Sequence, residues 1–298
     1  MARIGKKMAH LAEYAAVRAG VLLLGAIGGR ASCALGRGLG AFAWNPLGFR
    51  RRLVLESMAR AFPGLEADRL DRLGRESYRN LGAVFTEVFR IHRLSDRELA
   101  DKVLLSNREV LESALDGGRG VVNVAFHYGN WELMGARAAR EGWPLDVIAR
   151  PQTNPLFSRY VNALRESNGM RLIPVRNSSG TIARALRDGR IVTFLADQDA
   201  HRLGVFVPFL GRPASTPVGP ALFAWMCGSP VVISLMLPLG DGRWEVLFEL
   251  VPRPETANRD EFIRRVTEYY TATLERQVRQ APEHWFWPHK RWKTAPEE

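Results

Sequence analysis

Cysteine is scarce in this sequence. Only Cys33 and Cys227 occur, with no Cys-x-x-Cys pair and no neighbouring histidine. That excludes a disulfide-stapled scaffold and a thiolate zinc site, and suits reduced thiols in a cytosolic setting. Long hydrophobic runs are missing too. The longest uncharged stretch near the amino terminus is Ala19–Gly29, eleven residues between Arg18 and Arg30, where a spanning helix needs about 20. The basic start and short apolar run resemble a signal peptide, but no small-residue cleavage site follows. Neither a Gly-x-Ser-x-Gly elbow, nor a phosphate-binding loop, nor a dinucleotide glycine fingerprint stands in a strand–turn–helix context. These gaps argue against a serine-triad hydrolase and against a nucleotide enzyme. Internal repeats and low-complexity segments are also absent.

Acidic residues are nearly absent from the first 52 positions, where nine Lys/Arg face only Glu13, so +8 of the net charge of +11 is concentrated there. Basic charge packed beside apolar residues points to an anionic partner surface: lipid, an acidic carrier protein or nucleic acid. Leu22, Leu23, Leu24 and Ile27, continued by Leu35, Leu39 and Phe42, offer a lipid-facing stripe with arginines at its margins. Each cation near an anionic leaflet is worth about 1 kcal/mol, so residues 1–44 are expected to hold the chain on a membrane without crossing it. Nucleic acid is the weaker reading, because the charge sits beside this apolar segment and is not interleaved with the aromatic residues of the tail.

Residues 45–298 follow as the main body, helical over 45–116 and α/β over 117–298. Phe49–Phe62 and Ala67–Ile91 carry apolar residues at three- and four-residue intervals around Pro63-Gly64, and Ser95 and Asn107 are candidate helix N-caps. From Gly117 onward, strand-like runs appear at Val121–Phe126, Leu145–Ala149, Arg171–Val175, Ile191–Ala196, Val231–Leu237 and Trp244–Val251. Helical stretches at about Trp131–Glu141, Pro155–Ser167, Thr181–Arg187 and Gly219–Met226 separate several of them, and Asp260–Arg279 closes the series. Alternation of this kind predicts an α/β fold with a mixed, largely parallel sheet flanked by helices. Gly240-Asp241-Gly242 predicts an antiparallel hairpin at one edge.

Sites in open α/β sheets form where strands deliver their carboxyl ends to loops. One such segment is Val121–His127, followed by Tyr128-Gly-Asn-Trp-Glu132. Gly129 permits a sharp turn and Asn130 is a good N-cap. His127 and Glu132 cannot share a helix face, being about 140° apart at five residues' separation. With His127 on the turn and Glu132 in the first helical turn, the carboxylate can fold back to one ring nitrogen and leave the other free to take a proton. Spacing equally allows His127 merely to end the strand while Glu132 answers the helix dipole. A second segment, Ala196-Asp197-Gln198-Asp199, ends another apolar run; with only His201 nearby, metal ligation is poorly supported. Arg150 precedes Pro151-Gln-Thr-Asn-Pro155 and is suited to phosphate, or is a solvated loop arginine. The tail Pro282–Lys293 is dense in aromatics and bases, and by itself reads as an interfacial belt, a stacking surface or a packing strap.

Taken in order, these segments resemble the bacterial lipid A late acyltransferases (lauroyl and myristoyl transferases) of the lysophospholipid-acyltransferase-like superfamily. His127–Glu132 matches the His-x4-Asp/Glu signature, and Arg150-Pro151…Asn154-Pro155 the Arg-Pro-x-x-Asn-Pro block. Asp197-Gln-Asp199 with Val205-Phe-Val-Pro-Phe209, Gly228–Val232 and Pro282-Glu283…Trp287…His289-Lys-Arg-Trp-Lys-Thr294 continue the likeness. Ser158 stands where aspartate is common in that family. The resemblance implies an O-acyltransferase in which His127 deprotonates an acceptor hydroxyl and Glu132 orients it. Arg150 and Arg159 would meet phosphate or phosphopantetheine, and Asp197 and Asp199 would shape the site. It further implies an acyl carrier protein or acyl-CoA as donor, an anionic glycolipid of the lipid A pathway as acceptor, no metal or cofactor, and a place on the cytoplasmic face of the bacterial inner membrane.

Overall fold

The computed structural model describes the backbone of residues 2–296 and the side chains of residues 5–296. Met1, the side chain of Arg3 and Glu297-Glu298, counted in the ranges above, lie outside the described residues. Two helices open the chain, α1 (Ala2–Ala26) and α2 (Gly29–Trp44), followed by α3 (Arg51–Ala61) and α4 (Ala67–Val88). No helix among the described residues is long and apolar enough to cross a membrane. Helix α2 lies against α4 at backbone distance, because its inward stripe Ser32, Gly36, Gly40 has no bulk. A Cβ at Gly36 would meet the Gly82 carbonyl, and one at Gly40 the Tyr78 carbonyl. The opposite stripe, Leu35, Leu39 and Phe42, follows helical spacing and is exposed.

Short helices α5 (Asp96–Lys102) and α6 (Glu109–Asp116) follow. Ser95 caps α5 in a full capping box with Glu98, as expected. Asn107 does not cap α6. It takes a positive φ of 44°, and its amide donates to the Phe248 carbonyl (2.7 Å) while accepting from the Phe248 N–H (3.0 Å). The side chain thereby extends the sheet ladder, and that use outcompetes the cap.

The seven-stranded sheet runs β1-β9-β8-β2-β5-β3-β4. Its strands are β1 (Val103–Ser106), β2 (Val121–Ala125), β3 (Leu145–Ala149), β4 (Arg171–Pro174), β5 (Ile191–Leu195), β8 (Val231–Gly240) and β9 (Arg243–Leu250). All pairs are parallel except the hairpin β8–β9. The hairpin is not at the edge: β1 pairs with β9 and covers it, and β1 lies inside the stretch expected to be wholly helical. Four residues, VLLS, are too few to show a strand period. A separate hairpin joins β6 (Val205–Phe209) to β7 (Arg212–Thr216). Helices α7 (Trp131–Arg140), α8 (Pro155–Ser167), α9 (Ser179–Arg187), α10 (Gly219–Cys227) and α11 (Arg259–Gln280) complete the chain.

Both sheet faces are covered. One buried cluster joins Val122, Val124 and Phe126 to residues of α9, α10 and α11. The other joins Val121, Ala125 and Ile191 to Leu133, Met134 and Ala136 of α7. Alternate residues of β2 thus enter opposite cores, as a strand's two-residue period requires. Asp146 on β3 is fully buried and held by two arginines, Arg171 (3.0 and 2.5 Å) and Arg190 (2.9 and 2.5 Å).

Candidate active site

Strand β2 ends two residues before His127, and the turn that follows can be made only with glycine. Gly129 has φ +62°, and a Cβ there would come within 2.9 Å of both the Met236 carbonyl and the Trp244 ring. Asn130 caps α7 through Leu133 N–H (3.1 Å) while its amide donates to Glu87 (2.8 Å). The carboxyl-terminal tail clasps this turn: Gly129 N–H donates to the His284 carbonyl (2.9 Å), and Phe286 N–H to the His127 carbonyl (3.0 Å). Of the three readings open for the tail, the packing strap is the one observed, since Trp285, Trp287 and Arg291 are almost wholly buried.

Beside β2 lies β5, in register Ala125↔Leu195. Two residues further on, this brings Asp197 opposite His127. The His127 Nδ1–H donates to Asp197 Oδ1 (2.8 Å), because an ionised carboxylate can only accept. The His127 backbone N–H (3.1 Å) and the Trp285 indole N–H (2.9 Å) both donate to Oδ2. Burial pushes the Asp197 carboxyl up, but its electrostatic pairing with His127 and these hydrogen bonds outweigh it and hold it below the ordinary carboxylate range. With Nδ1 so engaged, Nε2 carries the lone pair. The ring is flanked by Trp131 (5.0 Å between centroids) and Phe286 (5.9 Å).

Glu132 does not meet His127. Its carboxylate is gripped at both oxygens by Arg165 of α8 (3.0 and 2.5 Å), and both side chains are mostly buried. From the first turn of α7 the carboxylate points across to α8, so the place beside the imidazole falls to Asp197. Asp199 is committed to the strap: it accepts from Thr294 N–H (3.0 Å), the Thr294 hydroxyl (2.9 Å) and His201 N–H (2.9 Å). Its own N–H donates to His289 Nε2 (2.9 Å), and burial brings the His289 pKa down to about 4. Arg150 is exposed at the cavity described next, and Arg159 is exposed on α8 outside it. Arg165, Trp285 and His289 were not singled out from sequence. Trp285 and His289 stood within the aromatic tail, whereas nothing marked Arg165 among the arginines of a helix.

A cavity of about 600 Å³ opens beside His127 and runs beneath α7 along the sheet face. Arg150, Gln152, Gln198 and His201 line it near the strand carboxyl ends, with Glu132 and Arg165 on its wall. Towards the strand starts the lining is Leu111, Trp143, Leu145, Ile191 and Phe248. Gly135 on α7 also lines it, and a Cβ there would come within 3.1 Å of the Met170 sulfur. Among the described residues, no group of three His, Cys, Asp or Glu side chains could hold a metal ion.

A sequence profile described as bacterial lipid A biosynthesis acyltransferase matches residues 1–294. The chain belongs to that family. Among related members, a phosphatidylinositol mannoside acyltransferase of Mycobacterium tuberculosis (strain ATCC 25618 / H37Rv) is 32% identical over 177 residues, 57% of this chain and 55% of its own length. The chain therefore spans about half the length of that relative. A lipid A biosynthesis palmitoleoyltransferase of Escherichia coli K12 is 27% identical over 266 residues, 89% of this chain and 85% of its own length. The lipid A biosynthesis lauroyltransferase of the same strain is 26% identical, covering 88% and 85%. In this acyltransferase family member, His127 and Asp197 are joined at the mouth of the cavity.

Proposed function

We propose that this chain moves a fatty acyl group from an acyl thioester on an acyl carrier protein to a hydroxyl of a lipid A precursor. The observation that carries this reading is the His127–Asp197 pair, 2.8 Å apart, at the mouth of a cavity whose depth is apolar. Membership in the acyltransferase family supports the reaction class.

Nε2 of His127 takes the proton of the acceptor hydroxyl as its oxygen bonds to the thioester carbon. The tetrahedral intermediate collapses with cleavage of the C–S bond, and the imidazolium returns its proton to the departing thiolate, giving an ester and a free thiol. Asp197 fixes the tautomer and stabilises the imidazolium. Glu132 holds the Arg165 guanidinium on the cavity wall, where a cation favours developing negative charge. Arg150 and Arg159 are the cations offered to phosphate groups of donor and acceptor. Asp199 acts on the site through the strap.

We propose the cytoplasmic face of the inner membrane as the place of the reaction. Leu22, Leu23, Leu39, Phe42, Leu47 and Phe49 are each half or more exposed, on helices and a loop rich in arginine, which suits interfacial anchoring without a span. A second reading is the same chemistry on another glycolipid or an aminolipid with acyl-CoA as donor; the name of the mycobacterial relative supports its glycolipid acceptor. Lipid mass spectrometry of cells with and without the gene tests both. Loss of one acyl residue from lipid A supports the first reading, loss from another glycolipid supports the second, and an unchanged lipid profile counts against acyl transfer altogether.

A further inference from the structure

The apolar cavity is interrupted by a polar rung. Asn123 of β2, Thr193 of β5 and Ser234 of β8 project from three adjacent strands onto the cavity face, and all three line it. Each is at least nine-tenths buried. The Ser234 hydroxyl donates to Asn123 Oδ1 (2.7 Å), and Asn123 Nδ2 donates to Thr193 Oγ1 (3.1 Å). Counting donors leaves a remainder. The second Nδ2 hydrogen and the Thr193 hydroxyl hydrogen have no acceptor among the described residues, whereas the residues beyond them, Leu145, Ile191 and Phe248, are apolar. A hydrogen-bond donor buried against hydrocarbon is unfavourable unless it meets an acceptor. A plain strand residue in an acyl cavity would be Val or Ile; three polar ones linked across the sheet are not needed to build it.

Position fixes what the rung would meet. His127, Ala125 and Asn123 alternate along one face, and Thr193 is the register partner of Asn123. Four residues of strand separate the imidazole from the rung by about 13 Å. An extended alkyl chain advances about 1.25 Å per carbon from its bond length and angle. With the thioester carbon at His127, the rung therefore lies near the tenth or eleventh carbon. Resting on the acyl-transfer reading above, we infer that the Asn123–Thr193–Ser234 rung selects acyl chains that carry a hydrogen-bond acceptor near mid-chain, either an oxygen substituent or a double bond. Thr193 is the discriminating residue, because its hydroxyl hydrogen is unspent while that of Ser234 is already used.

The test is equilibrium binding of three CoA thioesters to the full-length protein in detergent: hexadecanoyl, cis-9-hexadecenoyl and 10-hydroxyhexadecanoyl. Wild type is expected to bind at least one acceptor-bearing chain about tenfold or more tighter than the saturated chain, the worth of one buried hydrogen bond. Preference for the hydroxy chain identifies oxygen as the acceptor, and preference for the alkene alone identifies the π bond. Thr193→Val is expected to abolish the preference without weakening binding of the saturated chain, and Thr193→Ser to restore it. Should Thr193→Val fail to fold by circular dichroism, the comparison is made between wild type and Thr193→Ser, which must then share one preference. Equal binding of all three chains by wild type, or a preference that survives Thr193→Val, overturns the rung while leaving the acyl cavity intact. Binding of none of the three overturns the acyl-cavity reading and the rung with it.

Discussion

Replacing Asp197 by asparagine separates the two carboxylates that compete for the role of orienting His127. An amide has one oxygen where the carboxylate has two. In the structure Oδ2 serves two donors, the His127 backbone N–H and the Trp285 indole, while Oδ1 serves only His127 Nδ1. The asparagine oxygen will stay with the two donors, since turning the amide would set its NH2 against both. Its NH2 then faces Nδ1 and can be satisfied only if Nδ1 accepts, which moves the ring proton to Nε2. The nitrogen facing the acceptor hydroxyl loses its lone pair, and the imidazolium loses its neighbouring charge. In serine-protease triads this same exchange costs on the order of 10⁴ in kcat, so a fall of about 10³ to 10⁴ is expected here, with stability changed by no more than about 2 kcal/mol. The assay is thiol release from an acyl thioester in the presence of acceptor lipid, across a pH series. Asp197→Asn should move the acid limb of the pH–rate profile as well as lowering its height. Glu132→Gln, acting through Arg165, should leave that limb where it is. Activity of Asp197→Asn within tenfold of wild type, or a moved limb in Glu132→Gln alone, would refute the assignment of Asp197 as the orienting residue.

Other consequences can be read from the same contacts. Asp146→Ala removes a buried carboxylate from two arginines that reach solvent, Arg171 half exposed and Arg190 a quarter exposed, and should cost about 1–3 kcal/mol, read as a lower denaturation midpoint; an unchanged midpoint would contradict the double pair. Gly40→Val places side-chain atoms into the Tyr78 carbonyl and should separate α2 from α4, costing about 1–3 kcal/mol of overpacking and lowering the melting temperature. His289 has its pKa depressed to about 4, by burial first and then by the charges of His127 and Arg291, against the opposing pull of Asp197 and Asp199. A depressed histidine contributes stability that is fully present above its unfolded pKa near 6.5 and is lost as pH falls towards 4. After allowance for solvent screening this amounts to about 2 kcal/mol. His289→Gln, which can still accept from Asp199 N–H, should therefore flatten the pH dependence of the melting temperature between 6.5 and 4.

Much of the fold was legible because its signals are local. Leu145–Ala149 and Pro155–Ser167 appear within their expected bounds, marked by a short β-branched run and by an Asn-Pro start. What escaped depended on partners distant in sequence. The strand Val103–Ser106 exists because β9 offers it an edge, and Asn107 abandons a helix cap for Phe248, 141 residues away. The site divides in the same way. The strand–turn–helix setting of His127 was visible, as was the ending of two strands in ionisable residues. The pairing of His127 with Asp197 was not, because it spans 70 residues and follows only from β2 and β5 being neighbours in that register. Glu132 is the nearer carboxylate in sequence but is not hydrogen-bonded to the ring, being held by an arginine that no spacing rule had marked.

The most direct measurement is the mass of a lipid A precursor after incubation with an acyl-carrier-protein thioester and purified protein, wild type beside His127→Ala. Wild type is expected to add the mass of one acyl chain to the lipid, with one equivalent of free carrier thiol, and His127→Ala to add none while still sedimenting with vesicles. An acylated lipid formed at a comparable rate by His127→Ala, or free fatty acid in place of acylated lipid from wild type, would contradict acyl transfer by a His127 base.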